Sequence, residues 1–279
     1  MRWDRDYSSS EVEDRRGDAP IGGSGGGLPL WGIMRLFSMF GWKGMLVGLV
    51  LAGALVAGSQ LTGSGGGGNT TQVGHHQISS TPQEAELVHF VGFVFDDVQS
   101  SWRKEMPGYR DAHLVLFRNA TRSGCGTATE AVGPFYCPVD HKVYIDLAFY
   151  DELRRKLGAP GDFAQAYVIA HEVGHHVQNQ LGLLRDQMHH SIEIELQADC
   201  LAGAWGKDAA RRGELETGDL DEALNAATQI GDDTLQKREQ GYVQPETWTH
   251  GSSAQRRSSF QRGYDGGAAA CGVNLQSAK

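Results

Sequence analysis

The segment His171-Glu172-Val173-Gly174-His175 constrains this chain more than any other five residues. Histidines four apart lie on one face of a helix, where both imidazoles reach a single metal ion. Glu172 is rotated by about 100° from His171, so its carboxylate lies beside the metal rather than on it. A general base in that position takes a proton from an attacking water. His171 and His175 are therefore the expected ligands, and Glu172 the expected catalytic base.

Signals for the helix ends flank the motif. Pro160-Gly161 interrupts the preceding segment, and Asp162 with Gln165 three residues on reads as an N-cap and capping box. Gly182 supplies the stop. Between them Phe163, Tyr167, Ala170, Gly174, Val177 and Leu181 recur at helical spacing and form a core-facing stripe.

A catalytic zinc takes three protein ligands and keeps one position open. The segment Ile192 to Cys200 again has helical character, with Glu195 and Asp199 four apart on one face. Glu195 is the expected third ligand, and Asp199 the expected hydrogen-bond partner of either His171 or His175. Glu193 is the rival ligand, but it lies well round the helix from Asp199. One zinc per chain follows.

The strings HEVGHHVQ and ELQADCLAG resemble the gluzincin metallopeptidases, in which Glu from a second helix completes HExxH. The ExxAD form is similar to membrane peptidases of the CAAX-prenyl-protease type. With SGCG, GPFYCP, VYID and THGSSAQR added, the chain resembles the bacterial "putative neutral zinc metallopeptidase" family of membrane-anchored proteins, from about Val91 to about Tyr264. The resemblance implies a zincin fold and a protease. By the same resemblance, Thr249-His250-Gly251 with Arg256 matches a THPxxxxR element with Gly in place of Pro. His250 would then donate to the oxyanion, and Arg256 would hold the loop through acidic partners. Tyr242 is a weaker candidate for the work of His250.

Gly44 to Leu61 carries no charge, long enough for one membrane helix with Trp42 and Lys43 at its edge. Arg2, Arg5, Arg15, Arg16, Arg35 and Lys43 precede it, and the next basic residue is Arg103. The positive-inside rule then places the N-terminus in the cytoplasm and the rest outside. A leader of this length argues for an anchor rather than a cleaved signal peptide. The expected organisation is a Gly-rich cytoplasmic tail over 1–42, a transmembrane helix over 43–61, a flexible linker over 62–85 and a metallopeptidase domain over 86–279. The address is the bacterial inner membrane, with the catalytic part on the periplasmic or extracytoplasmic side.

Roughly 190 residues after the linker suffice for one core. A helix is expected over Leu87 to Trp102, and strands at His113 to Phe117 and Lys142 to Leu147. Two further helices start at Asp219 and after Ser252-Ser253, the last ending at Gly263. This is an α+β, helix-rich chain with a small sheet, of gluzincin-like zincin type by the resemblance. In zincins a strand like the second runs along the cleft, so its edge would pair with extended substrate.

Four cysteines allow three pairings. In an oxidising compartment Cys125, which with Cys137 brackets a turn-rich segment, is expected to pair with it, leaving Cys200 for Cys271. His75-His76 and His189-His190 read as exposed linker residues. The net charge of −9 argues against nucleic acid as a partner. The sequence thus points to a membrane-anchored zinc endopeptidase acting on protein or peptide. The alternative is an inactive zinc-bound scaffold that binds peptides, against which the intact Glu172 speaks.

Overall fold

The computed structural model describes residues 1–18, 80–129, 133–184 and 192–277. Met1–Pro20 and His76–Lys279 form one compact unit, and the apolar run 44–61 lies outside the described residues. So do both glycine runs, His75-His76 and His189-His190. No helix among the described residues is long and apolar enough to cross a membrane.

The unit is α+β and rich in helix. Its main sheet contains β1 (Val12–Asp14), β2 (His113–Phe117), β5 (Phe135–Cys137) and β6 (Lys142–Asp146), in the order β1-β2-β6-β5. The first three are mutually parallel, and β5 runs antiparallel to β6. A separate hairpin pairs β3 (Ala120–Ser123) with β4 (Gly126–Thr129). β6 therefore has a partner on each side, and the edge expected for substrate is taken. Among the described residues, the free edge on that side belongs to β5.

Seven helices complete the unit among the described residues: α1 (Pro82–Glu105), α2 (Ala148–Arg155), α3 (Asp162–Gln180), α4 (Ile192–Arg211), α5 (Asp219–Gln229), α6 (Asp232–Gln240) and α7 (Ser253–Gly266). Helix α1 begins at Pro82, inside the segment expected as linker, because Thr81 caps it by accepting from the Glu84 amide at 3.2 Å. It buries Phe90, Val94, Phe95, Val98 and Trp102. Helix α3 is the spine of the unit, packed against α1, α4, α5 and β5. Being enclosed, it is apolar on most of its circumference rather than along one stripe.

Two corrections concern chain ends and caps. The first residues are not a separate tail: β1 is an edge strand of the sheet, and Met1 is buried in the core. Nor is Asp162 an N-cap. It is the first residue of α3, and both its carboxylate oxygens accept from the Met1 ammonium at 2.7 Å. The cap comes from elsewhere in the chain, as Glu222 of α5 accepts from the Phe163 amide at 3.1 Å. Asp219 also faces the Met1 ammonium, which fills the Asp162, Asp219 and Glu222 cluster with a cation. The stop at Gly182 holds, with φ at +76°. Helix α7 opens on a full Ser252–Gln255 capping box and runs one turn past Gly263.

Candidate metal centre

Helices α3 and α4 meet where Gly174 faces Ala198. A Cβ on Gly174 would sit 3.0 Å from the Ala198 carbonyl oxygen, so any larger residue would push the two backbones apart by a few tenths of an ångström. The approach brings His171, His175 and Glu195 together, with all three buried and their donor atoms within 4.8 Å of one another. His171 Nε2 lies 3.2 Å and His175 Nε2 3.5 Å from Glu195 Oε2. Tetrahedral zinc with bonds of about 2.0–2.1 Å sets its ligand atoms roughly 3.3 Å apart, so these spacings match it. The rival, Glu193, is exposed.

The remaining ring nitrogens are also held. Asp199 Oδ1 lies 2.8 Å from His171 Nδ1, which settles which histidine it orients. Gln178 does the same for His175, with Oε1 2.8 Å from Nδ1. Its own amide donates to the Ile194 carbonyl and to Gln197 on α4, which fixes its direction. With each Nδ1–H donated, each Nε2 keeps its lone pair for a metal. Sequence reasoning missed Gln178, although it lies three residues after His175 and so on the same helical face.

A third layer backs Asp199, which is fully buried. Arg256 of α7 donates to it twice, Nε to Oδ2 and Nη2 to Oδ1, each at 2.9 Å. Tyr167 donates to Oδ1 at 2.5 Å. Burial raises the cost of this carboxylate's charge, but Arg256 and His171 outweigh it and hold its pKa below the usual carboxylate range. Burial likewise opposes charge on His171, yet Asp199 and Glu195 push it up to about 10. Arg256 thus supports the carboxylate behind a ligand, rather than the loop as the resemblance implied.

Glu172 is 7% exposed on the same helix. Near it stands Tyr150 of α2, whose hydroxyl is buried without a hydrogen-bond partner among the described residues. Burial first, and the Glu172 charge second, raise the Tyr150 pKa. No sequence signal marked this residue.

His250 lies in the loop before α7. The amides of Thr249, His250 and Gly251 all donate to Asp232 Oδ2, at 2.8, 2.7 and 3.0 Å. Its Nδ1 faces Thr249 Oγ1 at 2.9 Å and Asp232 Oδ1 at 3.3 Å. Gly251 packs on Ile192 and Leu196, which flank Glu195 on α4. The loop therefore packs on α4, and Asp232 is what shapes it. Tyr242 is 56% exposed and takes no part in the buried site.

Both disulfides are present. Cys125–Cys137 ties the β3–β4 turn to the end of β5, and Cys200–Cys271 ties α4 to the turn that follows α7.

Two histidines and a glutamate from a second helix, with a carboxylate behind one histidine, form a group that could hold a metal ion. The chain belongs to the family described as "Putative neutral zinc metallopeptidase", whose model matches residues 1–273. It is 44% identical over 286 residues to the uncharacterized protein YpfJ of Escherichia coli (strain K12), covering 96% of each chain. It is also 42% identical over 190 residues to the uncharacterized protein Rv2575 of Mycobacterium tuberculosis (strain H37Rv), over 62% of this chain and 65% of that one. No solved structure matches it. The family implies zinc, and the donor set fits that ion.

Proposed function

We propose that the chain is a zinc-dependent endopeptidase of gluzincin-like zincin fold, one zinc per chain, acting on proteins or peptides outside the cytoplasm. The observation that carries this reading is the paired His171 and His175 Nε2 atoms on Glu195, with Glu172 buried next to them. Zinc, when bound, supplies a Lewis acid that polarises the scissile carbonyl and acidifies water. Glu172 takes the proton of the attacking water and passes it to the leaving amine. His250 can donate from Nε2 to the oxyanion when its Nδ1 accepts from the Thr249 hydroxyl 2.9 Å away, or when the ring is doubly protonated.

The free edge of β5 supports an extended peptide as substrate, because a strand can add there through main-chain hydrogen bonds. Tyr136 on β5 is braced against α3, within 3.0 Å of His176 Nδ1 and accepting from Asn179 at 2.9 Å. Two disulfides support an oxidising compartment, and the uncharged run 44–61 supports attachment to the bacterial inner membrane.

Glu172→Gln tests the reading. Zinc content by elemental analysis should stay at one per chain, while cleavage of a peptide library falls by about a hundredfold or more. The parent should lose the same activity to a chelator. Undiminished cleavage by Glu172→Gln would remove Glu172 as the base.

A further inference from the structure

The N-terminal segment does more than trail the chain. β1 lies parallel on β2 in the register Val12↔Leu114, Glu13↔Val115, Asp14↔Leu116. The ladder is flanked by hydrogen bonds from the Leu114 amide to Glu11 at 2.9 Å and from the Arg15 amide to Leu116 at 2.8 Å. Upstream, Trp3 packs edge-on against Phe90 with ring centroids 5.3 Å apart, and Tyr7 does so against Phe93 at 5.5 Å. The Tyr7 hydroxyl donates to Asp96 at 2.8 Å. Gly92 on α1 leaves room for Ser9, whose Cβ would lie 3.1 Å from a Cβ placed there. Apolar side chains of the segment thus join the core, and backbone groups of β2 depend on it for partners.

The basic residues of the segment have partners too. Arg16 is 8% exposed and is bound by Asp14 at 2.6 Å and Glu84 at 3.0 Å. Arg15 pairs with Glu13 at 2.8 Å, and Arg5 with Glu86. The charges of Arg15 and Arg16 are held within the fold, so they are not free to bias orientation as a cytoplasmic flank would.

Paired strands lie about 4.8 Å apart. The hydrocarbon core of a bilayer is about 30 Å thick. β1 and β2 cannot make this ladder from opposite sides of a membrane. We propose that residues 1–18 and the zinc-binding domain occupy the same compartment, with the N-terminal strand a working part of the domain. This replaces the arrangement with the N-terminus inside and the domain outside. It does not depend on peptidase activity.

The test uses the full chain with single added cysteines at two exposed positions, Ser10→Cys beside β1 and Glu239→Cys on α6. All four native cysteines are in disulfides and will not compete. Spheroplasts are treated with a membrane-impermeant maleimide carrying a mass tag, with and without detergent. Both sites should be modified to the same extent without detergent. Both protected until detergent is added would uphold the shared compartment and place it in the cytoplasm, against the address proposed above. Glu239→Cys labelled with Ser10→Cys protected, or the reverse, would overturn the proposal. Docking itself is read by trypsin on the native chain, where cleavage after the buried Arg16 should wait for unfolding. Rapid cutting there would also overturn it.

Discussion

Asp199→Asn separates what this carboxylate does for the metal from what it does for the fold. The substitution keeps the size and leaves Oδ1 able to accept from His171 Nδ1, 2.8 Å away, so the ring stays oriented. The charge behind the ligand is lost. Losing such a partner weakens metal binding by about 10–100-fold, or roughly 1.4–2.7 kcal/mol, and retained orientation favours the lower end. The fold pays separately. Arg256 is 3% exposed, and its two 2.9 Å bonds to Asp199 become bonds to a neutral amide at best. An uncompensated buried cation costs about 3–5 kcal/mol, a fall of roughly 6–20 °C in Tm for a domain of this size.

Removing both charges distinguishes the two effects. Asp199→Asn with Arg256→Met should recover most of the lost Tm, because no buried charge is left alone. Its zinc affinity should stay low. Competition with a chromophoric chelator gives the affinities, and scanning calorimetry of the zinc-loaded proteins gives the melting temperatures. Parent-like zinc affinity in Asp199→Asn would refute the electrostatic role assigned to this residue. So would recovery of affinity together with Tm in the double variant.

Three further outcomes follow from the same geometry. Glu172→Gln should keep its zinc and lose peptide hydrolysis, measured as described above. His176 is buried with Nε2 2.7 Å from the Arg110 carbonyl, and burial pushes its pKa down to about 4. An unfolded histidine titrates near 6.5, so the unfolded chain takes up a proton that the fold refuses. The stability linked to His176 is therefore complete above pH 6.5 and is lost as pH falls towards 4, by up to about 3 kcal/mol. Urea unfolding of His176→Gln across that window should show a flatter pH dependence than the parent, and identical slopes would refute the account. Helices α4 and α7 cross with a Cβ on Gly203 only 2.0 Å from the Phe260 carbonyl oxygen. Gly203→Ala must force the two backbones apart and should cost at least about 1–3 kcal/mol in a thermal melt. An unchanged Tm would mean the helices are not this close.

What was legible in the sequence is what depends on local spacing. Two histidines and Glu172 announce themselves through a four-residue period, and Glu195 with Asp199 repeats that period on the next helix. β2 was legible because four apolar residues, Leu114 to Phe117, follow one another. β5 was not, because three residues between prolines carry too little pattern, though its antiparallel placement sets the free edge. β1 was missed for a different reason. The sequence Val-Glu-Asp has no strand alternation worth reading, and it is a strand only because β2 offers a ladder from the other side of a long intervening segment. Asp162 shows how a correct local rule can lose to a distant partner. Its cap geometry was plausible, but the Met1 ammonium took the carboxylate, and Glu222 supplied the cap.

The same contrast governs the metal centre. Its inner ligands come from α3 and α4, but the order behind them runs outward to Arg256 on α7 and, through the Arg256 Nη1 bond of 3.2 Å to the Ile230 carbonyl, to the end of α5. Helix α7 is in turn clamped to α4 by the Gly203 crossing, and the turn beyond it by Cys200–Cys271. Cys200 is the residue next to Asp199, so the disulfide anchors the helix at the very point where the carboxylate leaves it. Zinc affinity should therefore report on whether the C-terminal helix is docked, since an undocked α7 leaves Asp199 without its cation and His171 without a fixed partner. HExxH states where the metal goes. How firmly it is held is decided 85 residues beyond His171, at an arginine whose motif was legible but whose pairing with the buried Asp199 was not.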